Sequence, residues 1–434
     1  MSVIEPTGKR YATLLALIFA GEVMFSLPFH IPRFFRPTML DVFQLSNTQL
    51  GDIFAMYGVV ALLAYFPGGT LADRFNARTL IALSLVATSL GGFYLYTIPT
   101  LTGLYALFAY WGLTSILLFW AALIKATRDW GGEQTQGLAF GMLDGGRGLV
   151  ASVFATIALF ILSERIASTG SNPEALKSVI LFYSVVILLA AAVIWLTLPA
   201  DSSRTPTHQT TDRSHWRWVL SEPRVWLQSG VVICAYCGFK SLDNYGIYAV
   251  QVLDMDQLEA AKLNTYASYL RPVAAIAAGL WADRWSASKL VTLLFFVACA
   301  AFFAMSQGFS TEVATYLILA NLLVTFVAVY ALRAIYFSLI EEAKLDKRIT
   351  GSAVGLISVL GFTPDIFFAS VAGRILDANP GAVGFEHYFL LMAAICAVGM
   401  VFTLTLSRHL ALQKNTPSPT SPAGAQGDHI RARH

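Results

Sequence analysis

Between Thr79 and Pro99 the chain carries no acidic or basic side chain, and apolar runs of this kind recur from Tyr11 to Arg408. About 20 apolar residues in a helix bridge the roughly 30 Å hydrocarbon core of a bilayer. A helix satisfies its own backbone donors and acceptors, so lipid tolerates it. The runs lack the apolar/polar alternation of a transmembrane barrel strand. Charged residues make up 13% of the chain, against about 25% in soluble domains. The fold class expected is all-α and polytopic.

Polar breaks divide the apolar runs into twelve spans, at about 11–29, 48–71, 79–98, 101–124, 137–162, 177–198, 224–249, 260–281, 289–308, 313–338, 351–375 and 387–407. Tyr11–Phe29 is too long for the apolar core of a signal peptide, and no small-residue cleavage site follows. Residues 199–223 are polar and read as a linker between an N-terminal six-helix bundle (1–198) and a C-terminal one (224–408). The segment 409–434, rich in Pro, Ser, Gly and Ala, reads as a disordered tail.

Lys and Arg are unevenly shared between the faces of such a bundle. One face collects Lys9, Arg10, Arg74, Arg78, Lys125, Arg128, Arg204, Arg213, Arg217, Arg224, Arg284, Lys289, Lys344, Lys347 and Arg348. The other has Arg33, Arg36, Arg165, Lys177 and Lys262. The positive-inside bias puts both termini in the cytoplasm. A net charge of +3 gives no case for nucleic acid. The partners expected are a small-molecule substrate and membrane lipid, with the chain a monomer.

The halves echo each other. Gly69-Thr-Leu-Ala-Asp73-Arg74 after the second span matches Gly279-Leu-Trp-Ala-Asp283-Arg284 after the eighth. Gly137 to Gly141 opens the fifth span as Gly351 to Gly355 opens the eleventh, and Lys125 aligns with Arg333. Parallel repeats related by an axis along the membrane normal are a transporter architecture, with the substrate site between them.

The segment Gly68 to Arg78 (GGTLADRFNAR) resembles the signature loop between helices 2 and 3 of the major facilitator superfamily, and Gly279 to Lys289 (GLWADRWSASK) its second copy. Asn76 stands where that signature has Gly, and a left-handed turn is expected there. The stretches Gly137 to Val150, Leu332 to Leu345 and Gly361 to Phe385 resemble YihN-type inner-membrane transporters, a group similar to the organophosphate:phosphate antiporter branch. The resemblance implies solute transport across the inner membrane by two rocking halves. The signature loops suggest gating roles for Asp73, Arg74, Arg78, Asp283 and Arg284 at helix ends; Lys125 and Arg333, at equivalent places near the ends of the fourth and tenth spans, are counted with the gate and could form an electropositive inner vestibule for anions. Each has a plainer reading as a solvated turn charge or a base reaching for lipid headgroups.

Ionisable groups inside spans are costly and point to function. Arg147 in the fifth span and Arg271 in the eighth lie at similar midplane depth, one in each half, where they could hold one anion. Asp144 could instead neutralise Arg147 from one turn away, and Arg271 could serve a cross-helix bridge. Lys240, Asp243, Asn244 and Tyr236 cluster on the seventh span, as wall groups for a polar solute or as a structural bridge. Glu22 and Asp365 have no partner on their own helices and are candidates for proton coupling or for pairing with these bases.

The seven histidines fall in loops, tails or span ends. With no H-E-x-x-H, no G-x-S-x-G and no nucleotide-binding loop, neither an enzyme nor a metal or other cofactor is expected. Cys234 and Cys237 form a C-x-x-C inside a span and read as buried thiols. The function expected is secondary transport of a small organic anion, by proton coupling or anion exchange. The alternative is a proton-coupled exporter of cations or zwitterions, drawing on the same acids.

Overall fold

The computed structural model describes residues 7–132, 135–199, 218–308, 313–342 and 347–415. Ten helices are long and apolar enough to cross a membrane, and a bent pair at the N-terminus makes an eleventh. The twelfth crossing, Gln257–Ser268 continued by Leu270–Arg284, is shorter of apolar residues. No strand occurs among the described residues.

In chain order the crossings are α1 (Thr7–Val23, then Ser26–His30 and Ile31–Phe34), α2 (Asn47–Arg74), α3 (Ala77–Tyr96) and α4 (Leu101–Gly131). Next come α5 (Gln136–Thr169), α6 (Asn172–Thr197), α7 (Pro223–Gln251) and α8 (Gln257–Arg284). The last four are α9 (Ala287–Met305), α10 (Val313–Ile335, prolonged to Glu342), α11 (Lys347–Gly361, then Pro364–Ala378) and α12 (Ala382–Asn415). A short helix, Arg36–Phe43, links α1 to α2. Residues 409–415 of the expected tail belong to α12; the rest of the tail, and 200–217 of the expected linker, lie outside the described residues.

Local sequence sets several ends. The Ser46 side chain accepts from Gln49 N–H while Gln49 reaches back to Ser46, a capping box that starts α2. Asp256 and Glu259 do the same for α8. Asn76 does not take the left-handed turn expected of it: its backbone is extended, φ −66°, and its side chain caps α3 by accepting from Arg78 N–H at 2.8 Å.

Two breaks matter for the centre. Pro28 supplies no N–H, and α1 widens into a π turn over Ser26–His30 that bends its outer part by 42°. The helix therefore continues past Phe29, where the apolar run stops, and carries His30 and Arg33 inside the protein. In α11, Phe362 and Thr363 leave the helix before Pro364 restarts it.

The buried apolar residues form two clusters. One runs from Leu14 to Leu198 and takes in Ala261 of α8; the other runs from Val219 to Leu406. Twelve crossings put both chain ends on one face, the terminal face, opposite a far face. Every cross-half hydrogen bond or ion pair among the described residues lies between the midplane and the far face. Asn47 and Thr48 bond Asp377, Arg374 holds Asp52, Asn264 reaches the Arg33 carbonyl, and Ser268 donates to Ser152. Among the described residues the halves are thus bonded to each other on the far side and not on the terminal side.

Candidate substrate chamber

The space between the halves is a chamber lined from both bundles. Five bases line it: Arg33, Arg147, Lys240, Arg271 and Arg333, with Glu22, His30 and Asp365 beside them. Aromatic rings fill the remaining wall, among them Phe25, Phe29, Trp120, Tyr236, Phe239 and Phe362.

Glu22 is the hub. It is 4% exposed. Arg147 Nε donates to its Oε2 at 3.0 Å, Arg271 Nη1 lies 3.7 Å from Oε1, and His30 Nε2 bonds Oε1 at 3.1 Å. The pair with Arg147 stays within the N-terminal half, whereas that with Arg271 crosses to α8. Arg147 and Arg271 therefore do converge on the chamber, and they share one carboxylate. Asp144 is not the partner of Arg147. It is exposed, makes no ion pair within 4 Å among the described residues, and remains within electrostatic reach of Arg271, Arg333 and Arg147.

A second cluster is balanced. Lys240 Nζ lies 3.3 Å from Asp365 Oδ1 and 3.5 Å from Asp243 Oδ2. Arg33 Nε donates to Asp243 Oδ1, and Tyr236 Oη donates to Asp365 at 3.0 Å. Two bases here meet two acids. Asn244 takes no part: it faces α12, where its Nδ2 donates to Tyr388 Oη at 3.0 Å. A short 3-10 turn over Leu242–Asn244 swings it off the chamber side.

Arg333 corrects an expectation. It stands in the chamber rather than at a headgroup-level gate, because α10 continues for two turns beyond it. It has no carboxylate within 4 Å among the described residues. Nη1 donates to Tyr336 Oη at 3.3 Å, Nε is buried without a partner, and the guanidinium lies 4.2 Å from the Phe239 ring centroid. Arg33, at 4.5 Å, shares that ring.

The other gate candidates stay outside the chamber. Asp73, Arg74 and Arg284 are exposed on the terminal face. Arg78 stacks on Trp195 at 4.4 Å, and Lys125 donates to the Ala72 carbonyl at 2.6 Å, both within the N-terminal half. The side chain of Asp283 lies outside those described. Cys234, Cys237, Cys299 and Cys396 are all free thiols. Among the described residues no cluster of His, Cys, Asp and Glu could hold a metal.

Sequence reasoning missed His30 and Arg33. Both follow the last apolar residue of the first span and look like loop residues. The signal was Pro28, which marks a bend rather than an end.

Two six-helix bundles that part on one face of the membrane around a buried polar chamber define a carrier of the alternating-access kind. A sequence profile of the Major Facilitator Superfamily matches residues 17–364, and the chain belongs to that family. It is a multi-pass inner-membrane transporter, not an enzyme. It is similar to the inner membrane protein YihN of Escherichia coli (strain K12), at 28% identity over 421 residues covering 94% of this chain and 98% of the relative. The inner membrane protein YqcE of the same strain is 25% identical over 95% of this chain and 98% of its own length. A bacterial homolog of the human lysosomal transporter Spinster shares the fold, with a TM-score of 0.74 at 17% identity over 96% of this chain and all of the other. So does the nucleoside transporter NupG, with a TM-score of 0.68 at 12% identity over 92% and 98%.

Proposed function

We propose that the protein exchanges small organic anions across the inner membrane, with its terminal face in the cytoplasm. One observation carries this: the guanidiniums of Arg147 and Arg271, one from each half, share the single carboxylate of Glu22, and Arg333 stands in the same chamber without a carboxylate partner among the described residues. Around the chamber, five bases stand against the three acids Glu22, Asp243 and Asp365. A positive surplus remains even when Asp144 is added. Guanidinium groups are planar, permanently charged forks for carboxylate, phosphate or sulfonate.

The surplus also favours exchange over proton coupling. Enclosing an unmatched charge in lipid-surrounded protein costs several kcal/mol, so the chamber closes readily only around an anion, in either direction of travel. Adding a proton at Glu22 would enlarge the surplus. A cation exporter finds little support, since Glu22, Asp243 and Asp365 are each already held by bases.

The test is uptake by purified protein in liposomes, with a panel of sugar phosphates, sulfonates, sugar acids and dicarboxylates inside and out. Exchange is expected for at least one panel anion, abolished by Arg271→Ala and by Arg333→Gln while both variants elute as the wild type on gel filtration. Full transport by both variants would remove these guanidiniums from the site. Uptake of lipophilic cations alone would replace the anion reading.

A further inference from the structure

The sealed far face contains an arginine that the closed state does not explain. Arg36 is 2% exposed, yet it makes no ion pair within 4 Å among the described residues. Among the described residues its side chain makes one hydrogen bond, from Nη2 to Asn47 Oδ1 at 3.3 Å, and its Nε is buried without a partner. Asn47 in turn donates from Nδ2 to Asp377 Oδ1 at 3.1 Å. The acids whose charge acts on Arg36 are Asp243 and Asp377, both of the C-terminal half. Arg33, which precedes it in the same connecting segment, also takes its carboxylate, Asp243, from that half.

The surfaces that bring those acids close meet without interlocking side chains. α2 and α11 meet through Gly51, Gly58 and Gly373, each lying on the other helix's backbone. A Cβ on Gly58 would stand 2.7 Å from the Asp365 carbonyl group, one on Gly51 would strike Ala369, and one on Gly373 would strike Asn47. When the far face opens, α11 leaves α2, and Asp377 and Asp243 depart with the C-terminal half. Arg33 and Arg36 stay with the N-terminal half, facing water and stripped of acid.

We propose that Arg33 and Arg36 form a second anion-binding subsite that exists only while the far face is open. Its ligand is an oxyanion group, a carboxylate, phosphate or sulfate, which takes the place of Asp243 and Asp377 until the halves close and passes to the deeper arginines. The proposal rests on the anion reading above.

Phenylglyoxal labelling of the full-length protein in liposomes, read peptide by peptide by mass spectrometry, tests it with inorganic phosphate and sulfate as probes. Gly58→Leu, which obstructs far-face closure, is expected to raise Arg36 labelling by roughly tenfold by enlarging the open population. Phosphate or sulfate, but not glycerol, should then protect Arg36. Gly373→Leu opens the same seam from the other helix and replaces Gly58→Leu should that variant misfold. An Arg36 that stays unreactive in the obstructed protein, or reacts without protection by either anion, overturns the subsite. Protection of the Arg271 and Arg333 peptides in the wild type separates the two readings. If they are protected and Arg36 is not, only the far-face subsite falls. If none is protected, anion binding falls with it.

Discussion

Glu22 occupies the place a substrate anion would want. It lies between a guanidinium of its own half and one of the other, with His30 on the same oxygen that faces Arg271. The contact to Arg271 is the longer, so it is the one a bound anion would displace first. Glu22→Gln keeps the side chain's size and removes its charge, leaving Arg147 and Arg271 unmatched. Taking away one partner of a buried pair is expected to cost on the order of 3 kcal/mol. Thermal unfolding of the purified variant should show that loss, and saturating phosphate should recover part of it. An unchanged melting temperature would mean that the two guanidiniums do not depend on this carboxylate.

At this scale the sequence disclosed depth but not direction. Arg147 and Arg271 could be placed near the midplane by counting residues from their span ends, since each turn of helix advances a fixed distance. Its place on the seventh span grouped Asn244 with Lys240 and Tyr236 as a wall residue, but a single 3-10 turn rotates it toward Tyr388. Arg333 was assigned to a helix end because α10 was taken to stop shortly after it. The chain instead tightens through Tyr336–Ser338 and continues. Azimuth and local breaks decide which way a side chain points, and neither follows from hydropathy.

Among the elements, α2 and α11 do most to set the state of the molecule. Their far halves lie backbone to backbone at the three glycines, and Asp377 covers the first two N–H groups of α2. Side chains larger than hydrogen have no room in such a seam, and overfilling costs about 1–3 kcal/mol. Gly51→Leu should therefore stop exchange while leaving anion binding intact, as measured by protection against unfolding and by liposome flux in parallel. Exchange at the wild-type rate would show that the seam yields. The twelve runs were legible because lipid leaves little choice of element. The bends in α1 and α11 were only hinted at, by Pro28 and Pro364.

For the whole molecule, the chamber's surplus charge links chemistry to motion. Two halves that close on bare guanidiniums must hold them away from water. Efflux from loaded liposomes into anion-free medium should accordingly run at least about a hundredfold slower than exchange, since each 1.4 kcal/mol of barrier is a factor of ten. Equal rates would mean that the empty carrier returns freely and that internal acids suffice to neutralise it.

The modest apolarity of α8 bears on how this protein is made. Glu259, Lys262, Arg271, Asp283 and Arg284 all lie on that crossing, and a base or acid at a helix centre opposes partitioning by roughly 2.5–3.5 kcal/mol. Such a segment would not leave the translocation channel for lipid unaided. It enters beside earlier crossings that already offer it company, with α5 supplying Ser152 and Thr156 to its Ser268 and Tyr269. Arg271, which the anion reading assigns to the cargo, would thus make biogenesis of the second bundle depend on the first having already been laid down.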